Sequence, residues 1–413
     1  MDTDKESIIQ AVRQRCDGPF YLYDQKIIAG QAESLLNGFP QFEFLYSIKT
    51  NPFLPIIKYL GRRGFGADAA SAAEVDLALA AGIRPEHIFY SSPGKTRADL
   101  VQALGKCRVI VDSYGELELL NSMAAAKPTR LAVGVRLNPD FSMTGRPGVS
   151  SKFGLDEEDL FKRTDFFSRL TSLEIIGLHV HLRSQVLDEQ ALTGYYDHCF
   201  RLAVKCAGHF GWRLNFINFG GGLGIVYSEA NDRPLDTCRL GRECAGLARK
   251  YRPELGEVRL LIESGRYLVG PAGQYFTPVV DIKESRGRKY LIVRNGLNGF
   301  MRPAVAHLLR SCSLPPDGRV SFEPLFTTPD AFDFTLVGKE NTGPLEKVGV
   351  VGNLCTATDV LAEDILLPPA AVGDLVCVSK AGSYAYSLSP LGFSSHGPPS
   401  QVFVDHQNNL IIE

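Results

Sequence analysis

The sequence predicts an α/β fold: a (β/α)8 TIM-type barrel with a second, mostly β C-terminal domain. Three observations carry this. Between about residues 29 and 270, an apolar strand, a small or polar end residue and a helical stretch alternate in eight units. That span is about the size of such a barrel, whereas a doubly wound open sheet more often has five or six strands. The helical stretches carry start signals, and beyond about residue 271 short strand-like runs are separated by Gly, Pro, Asn and Asp. The expected domains are therefore an N-terminal segment, 1–28, that joins the β domain, a barrel over 29–270, and a β-sandwich or barrel-like domain over 271–413.

In chain order, FYLYD at 20–24 is a short aromatic strand. The barrel strands are then read as EFLYSI, GFGA, HIFYS, RVIV, LAVGVRL, IIGLHV, FINF and RLLI. Their polar ends are Lys49, Asp68, Ser92, Asp112, Asn138, His181, Gly220 and Glu263. Ser71 with Glu74, and Ser113 with Glu116, have capping-box spacing before helical apolar periodicity. The β domain is read from YFTPVVDI, KYLIVR, VSFEPLF, DFTLVG, VGVVG, DLVCVS, QVFV and NLIIE. Barrel enzymes place their chemistry at the C-terminal strand ends, which is where Lys49, His181 and Glu263 fall.

Composition narrows the function. The chain has 413 residues, 45% hydrophobic and 22% charged, with a formal net charge of -2. That gives no electrostatic case for nucleic acid or an anionic membrane. No apolar run is long enough to span a bilayer, and the charged N-terminus lacks the apolar centre of a signal peptide. Nine cysteines without CxxC pairs fit reduced cytosolic thiols better than disulfides or a zinc site, so a cytoplasmic location and no metal are expected.

Four stretches, with the lysine that ends the first strand, bear on chemistry. Lys49 closes an apolar strand just before Thr50-Asn51-Pro52, where partial desolvation favours the neutral amine that a Schiff base needs. The alternative is a snorkelling strand-end lysine. Gly220, Gly221, Gly222 and Gly224 in NFGGGLG suit an anion cradle or a plain tight turn, and their spacing is not a dinucleotide fingerprint. His179 and His181 point the same way in a strand, as ring-stacking groups, core residues or, without a nearby carboxylate cluster, less suitably as metal ligands. Glu263 ends a strand in ESGR and needs a cationic partner, which a protonated pyridinium nitrogen or Arg266 would be. GNLCTATD offers Cys355 for proton delivery or as buried filler. KAGSYAYS adds the Tyr384 phenol.

With these motifs in order (FYLYD, YSIKTN, GADAASAAE, SSPGKT, VDSYGEL, RLNP, SKFG, GLHVHLRSQ, NFGGGLG, ESGR, MRPA, GNLCTATD, GDLV, AGSYAYS), the chain resembles the fold type III pyridoxal-phosphate decarboxylases, the diaminopimelate, ornithine and arginine decarboxylase group. The resemblance runs nearly end to end. It implies that Lys49 joins the cofactor aldehyde, that His181 stacks on the ring and that Glu263 keeps the pyridine nitrogen protonated. Asp68 lies beside the lysine in that family. Ser184, Gly221, Gly222, the Gly265–Arg266 backbone and Tyr384 are its phosphate ligands. It further implies that Cys355 enters from the other subunit of a homodimer with shared sites and returns a proton to the α-carbon.

The departures concern substrate. Diaminopimelate enzymes carry Glu after the cysteine to bind a distal ammonium, and here Thr356 stands there; Thr356 and Asp359, with Arg302 and Arg183, are expected to contact the substrate. Arg302 is kept, which allows a distal carboxylate, but the following tyrosine position holds Ala306. Arg183 replaces a usual glycine and adds positive charge. CTATD, TGRPGVSSKFG and LSPLGFSSHGPP are similar to the siderophore-pathway branch, which implies decarboxylation of a citryl-diaminopropionate-like conjugate. The rivals are a meso-diaminopimelate decarboxylase, an amino-acid racemase and a catalytically silent dimerising regulator.

Overall fold

The computed structural model describes residues 3–143, 148–311, 331–339 and 343–413. The expected strand VSFEPLF and the first four residues of TGRPGVSSKFG lie outside them. The chain forms two compact units, one of Ala32–Gly224 with Leu235–Gly265, the other of Met1–Gln31, Ile225–Pro234 and Arg266–Glu413. Ile225–Pro234 thus clusters with the β unit, although it falls inside the span 29–270.

The first unit is the barrel. Its parallel strands are β1 Glu43–Ser47, β2 Gly66–Ala69, β3 Ile88–Ser91, β4 Arg108–Val111, β5 Leu131–Asn138, β6 Leu173–Val180, β7 Phe216–Asn218 and β8 Arg259–Ser264. Each pairs with the next, and β8 pairs with β1 to close the ring. Leu45, Phe89, Ile110, Ile176, Phe216 and Leu261 fill a buried cluster between these strands. Gly134 and Gly177 make room for the Phe216 ring, because a Cβ at either would overlap it.

Two end residues sit differently from the sequence reading. Asp68 and Glu263 lie inside β2 and β8 rather than after them, because the ladder continues one residue past each. Lys49 does follow its strand, in a 3-10 turn Ile48–Thr50. The caps also differ in part. Ser71 and Ser113 accept from the Glu74 and Glu116 amides, as expected. The two glutamates, however, reach one residue further back, to the amides of Ala70 and Asp112.

The second unit is mostly β. Phe20–Asp24 runs antiparallel to Gly273–Ser285 and parallel to Ser400–Val404. Gly273–Ser285 also pairs with Arg288–Val293 and Leu375–Val378. Helix Thr3–Arg13 lays Ile9 and Val12 on this sheet against Phe20, Phe276 and Val402. Val360–Leu367 is a strand and Met301–Ser311 a helix that the turn-rich texture did not reveal.

Candidate active site

Within the barrel, three polar arrangements form at the C-terminal strand ends, two of them centred on a carboxylate. Asp68 is fully buried: its Oδ1 accepts from Ser91 Oγ at 2.6 Å and its Oδ2 from Lys49 Nζ at 3.3 Å. β2 puts Asp68 in register with Ser47 on one side and Phe89 on the other, which carries it between the lysine and the serine. The Lys49 side chain is 44% exposed in this chain, so its amine is less desolvated than its place after an apolar strand predicts.

The second centre is Glu263. Asn218 Nδ2 donates to its Oε1 at 2.9 Å, and His179 Nε2 lies 3.1 Å from the same oxygen. His179 and Asn218 are in register on β6 and β7, so both reach one point on β8. Burial alone would raise the Glu263 carboxyl, but the His179 ring, with Lys49 and His181, overrides it and holds the group well below the usual carboxylate range. Burial lowers His179, against the pull of Glu263. The pair is therefore an ionised carboxylate beside a neutral imidazole. A carboxylate oxygen, Oε2, keeps acceptor capacity, with no hydrogen bond to it among the described residues.

The third links the glycine loop to His181. The Gly221 amide donates to His181 Nδ1 at 3.0 Å, which leaves the ring proton on Nε2. Gly220 has φ +63°, and a Cβ there would strike the Val180 carbonyl and the His181 side chain. The loop also zips onto the segment after β6: the Val186 amide donates to the Gly222 carbonyl at 2.8 Å, and the Gly224 amide to the Val186 carbonyl at 3.0 Å. Ser184 is half-buried on that segment and Arg183 is exposed. A Cβ on Gly265 would overlap the Thr50 hydroxyl.

A fourth buried network lies further round the barrel. Lys95 Nζ is 2.9 Å from Glu116 and Arg136 Nη1 is 3.6 Å from Asp112. It holds the SSPGKT and VDSYGEL loops together.

In the β unit, Cys355 is exposed, and Thr356 Oγ1 lies 3.0 Å from Thr358 Oγ1. Asp359 turns inward, its oxygens accepting from the Leu297 amide at 2.5 Å and the Leu354 amide at 2.9 Å. It was expected at the substrate, and its two oxygens are engaged by backbone. Arg302 is fully buried, with Nη1 on the Ser383 carbonyl and Nη2 on the Tyr227 hydroxyl, each at 3.0 Å. Arg266 Nη1 donates to the same hydroxyl at 3.0 Å, and its guanidinium lies 5.1 Å from the Tyr384 ring centre. Tyr384 itself holds φ +51°.

Sequence reasoning missed Asn218, Ser91 and Tyr227. A polar residue inside the apolar run FINF marked Asn218. Ser91 was passed over for its neighbour Ser92, and nothing in spacing marks Tyr227.

Residues 25–270 match the family model described as the pyridoxal-dependent decarboxylase, pyridoxal binding domain. The chain is 32% identical over 406 residues to an L-glutamyl-[BtrI acyl-carrier protein] decarboxylase of Niallia circulans, covering 95% of this chain and 90% of that protein. It is 27% identical over 388 residues to the diaminopimelate decarboxylase of Aquifex aeolicus, covering 92% and 85%. Among solved structures, the Helicobacter pylori diaminopimelate decarboxylase complexed with L-lysine superposes with a TM-score of 0.82 at 23% identity, over 98% of this chain and 95% of that one. This last likeness is one of fold.

Proposed function

We propose, from a chain that belongs to the pyridoxal-dependent decarboxylase family, that it removes the α-carboxylate of an amino acid whose distal end is conjugated rather than a free ammonium. The cofactor is pyridoxal phosphate, and the barrel residues suit it. Glu263 is a buried anion with an oxygen to spare, as a ring nitrogen requires, and the glycine loop runs close to its neighbours, a Cβ on Gly220 striking the Val180 carbonyl and one on Gly221 or Gly222 lying 3.3 Å from a backbone carbonyl. When bound, this cofactor supplies an aldehyde for the substrate amine and a ring that accepts the electron pair left by carbon dioxide.

In this reading Lys49 holds the aldehyde carbon, with Asp68 and Ser91 fixing the amine. Glu263, oriented by Asn218 and His179, keeps a proton on the ring nitrogen. His181 stacks on the ring, its orientation set by the Gly221 amide. Ser184, Gly221, Gly222, the Gly265–Arg266 backbone and Tyr384 hold the phosphate. Cys355 returns a proton to the α-carbon, from the partner of a cytoplasmic homodimer with shared sites.

One observation carries the substrate assignment. The segment after Cys355 offers hydroxyls from Thr356 and Thr358 and no outward carboxylate, since Asp359 is bound to backbone amides. A distal ammonium there would lack its counter-charge. The motif likeness favours a citryl-diaminopropionate-like siderophore intermediate, with Arg183 and Arg302 near its carboxylates. The Niallia circulans relative favours a glutamyl thioester on an acyl carrier. Carbon dioxide release should be measured on citryl-L-diaminopropionate, a glutamyl-pantetheine thioester and meso-diaminopimelate. Turnover of either conjugate is the expected result. Turnover of diaminopimelate alone would overturn the assignment and make this a lysine-pathway enzyme. Thr356→Glu is expected to bring measurable activity on diaminopimelate.

A further inference from the structure

The N-terminal ends of the barrel strands carry two adjoining clefts that the cofactor residues do not use. The strands are parallel, so this face lies opposite the ends that hold Lys49, His181 and Glu263. The larger cleft, of about 730 Å³, is lined by Arg130, Glu174, Trp212 and Arg213 among others. The smaller, of about 450 Å³, is lined by Arg108, Lys127 and the same Arg130. Both volumes fall in the range of small-molecule sites.

Strand starts build this corner. Arg108 opens β4, and Arg130 stands just before β5, whose Leu131 amide donates to the Ser172 carbonyl at 2.8 Å. Glu174 on β6 is in register with Ala132 on β5. Helix Glu189–Phe210 stops at Gly211, whose φ of +68° turns the chain so that Trp212 and Arg213 lead towards β7. Phe161 stacks on Phe210 at 5.6 Å and Phe210 on Trp212 at 4.4 Å, with Phe167 edge-on to Trp212. This file of rings ends at the half-buried Trp212, and no further ring lies parallel to its indole among the described residues.

Charge completes the pattern. Arg108, Lys127, Arg130 and Arg213 form no ion pair among the described residues, whereas Arg84 pairs with Glu86, Lys106 with Asp76 and Arg259 with Glu43. A solvated arginine needs no partner. Four cations that converge on two joined clefts, beside an aromatic face and the Glu174 carboxylate, make a recognition surface. An indole face suits a base, a carboxylate suits ribose hydroxyls, and guanidiniums suit phosphates. The last carbonyls of helix Glu189–Phe210 favour the donor edge of a base over a phosphate, which sets the direction. We propose that these clefts bind a nucleoside triphosphate, with its base on Trp212, its ribose at Glu174 and its phosphates running from Arg213 and Arg130 to Arg108 and Lys127. The site is independent of the proposed substrate, since it shares no residue with the cofactor and substrate sets.

Trp212 is the sole tryptophan of the chain, so its fluorescence reports on the cleft directly. Holoenzyme is titrated with metal-free ATP, AMP, adenosine and tripolyphosphate, by fluorescence corrected for nucleotide absorbance and by calorimetry. ATP should quench the emission saturably with a Kd below about 1 mM, and adenosine and tripolyphosphate should each bind about tenfold more weakly or worse. Arg130→Gln should weaken both ATP and AMP about tenfold, the loss of a charge-assisted contact. Lys127→Gln should weaken ATP alone. Both variants should unfold thermally like wild type without ligand, because neither side chain holds an ion-pair partner. By calorimetry, Trp212→Ala should also bind ATP about tenfold more weakly. Absence of both quenching and heat with ATP would overturn the proposal. So would tripolyphosphate binding as tightly as ATP, which marks charge attraction without recognition of the base, or an ATP affinity that Arg130→Gln or Lys127→Gln leaves unchanged.

Discussion

Glu263 carries the most demanding electrostatics of any single residue in the barrel. An ionised carboxylate at 3% exposure persists because Asn218 Nδ2 donates to one oxygen with the His179 ring 3.1 Å from it, and it favours a cation at the other. Glu263→Gln should retain fold and cofactor while carbon dioxide release falls about 100-fold, the scale of losing one preorganised electrostatic partner. An unchanged rate would show that the ring nitrogen finds its proton elsewhere. Tyr227 has its own pH signature. Its folded pKa of about 7 lies below the unfolded value near 10, so its contribution to stability is complete above about pH 10 and is lost as pH falls through 7. Wild type should thus gain stability relative to Tyr227→Phe between pH 7 and pH 10. Lys49, His181 and Glu263 were legible because a polar residue ending an apolar strand stands out in one dimension. Arg302 was legible as a charge, but its complete burial against Tyr227 was not, since 75 residues separate them.

At the scale of elements, short loops are held by groups that the sequence presents as ordinary. Asp359 closes the Gly352–Asp359 turn onto Leu297 by two backbone amides, and a Cβ on Gly352 or Gly296 would fall on its carboxylate. Asp359→Ala leaves two amides without their acceptor, at about 1–3 kcal/mol for each that stays buried. Denaturant unfolding should register that loss, and activity should fall with the position of Cys355. A variant that unfolds like wild type would show that water replaces the carboxylate. The cap serines were readable from spacing alone, because Ser71 and Ser113 need only a local amide. The reach of Glu74 and Glu116 was not, since it depends on how β2 and β4 deliver the chain into each helix.

For the whole molecule, the proposed sharing of sites between subunits has a direct test. Lys49→Ala and Cys355→Ala proteins, each inactive alone, should recover about a quarter of wild-type activity when refolded together in equal amounts, because half of the dimers are hybrids with one intact site of two. No recovery would mean that each subunit supplies its own cysteine. The eight-strand period, the turn-rich second half and the polar strand ends are local properties, and the sequence by itself determined the fold class and the cofactor and singled out the barrel residues proposed to meet it. Tertiary structure alone decided which partners those residues have. It brought Asn218 and His179 to Glu263, Ser91 to Asp68, and Tyr227 between two arginines 36 positions apart in the chain. The physical reason is that strand register and burial, which exist only after closure of the barrel and the β sheet, select each buried charge's partner among residues distant in sequence.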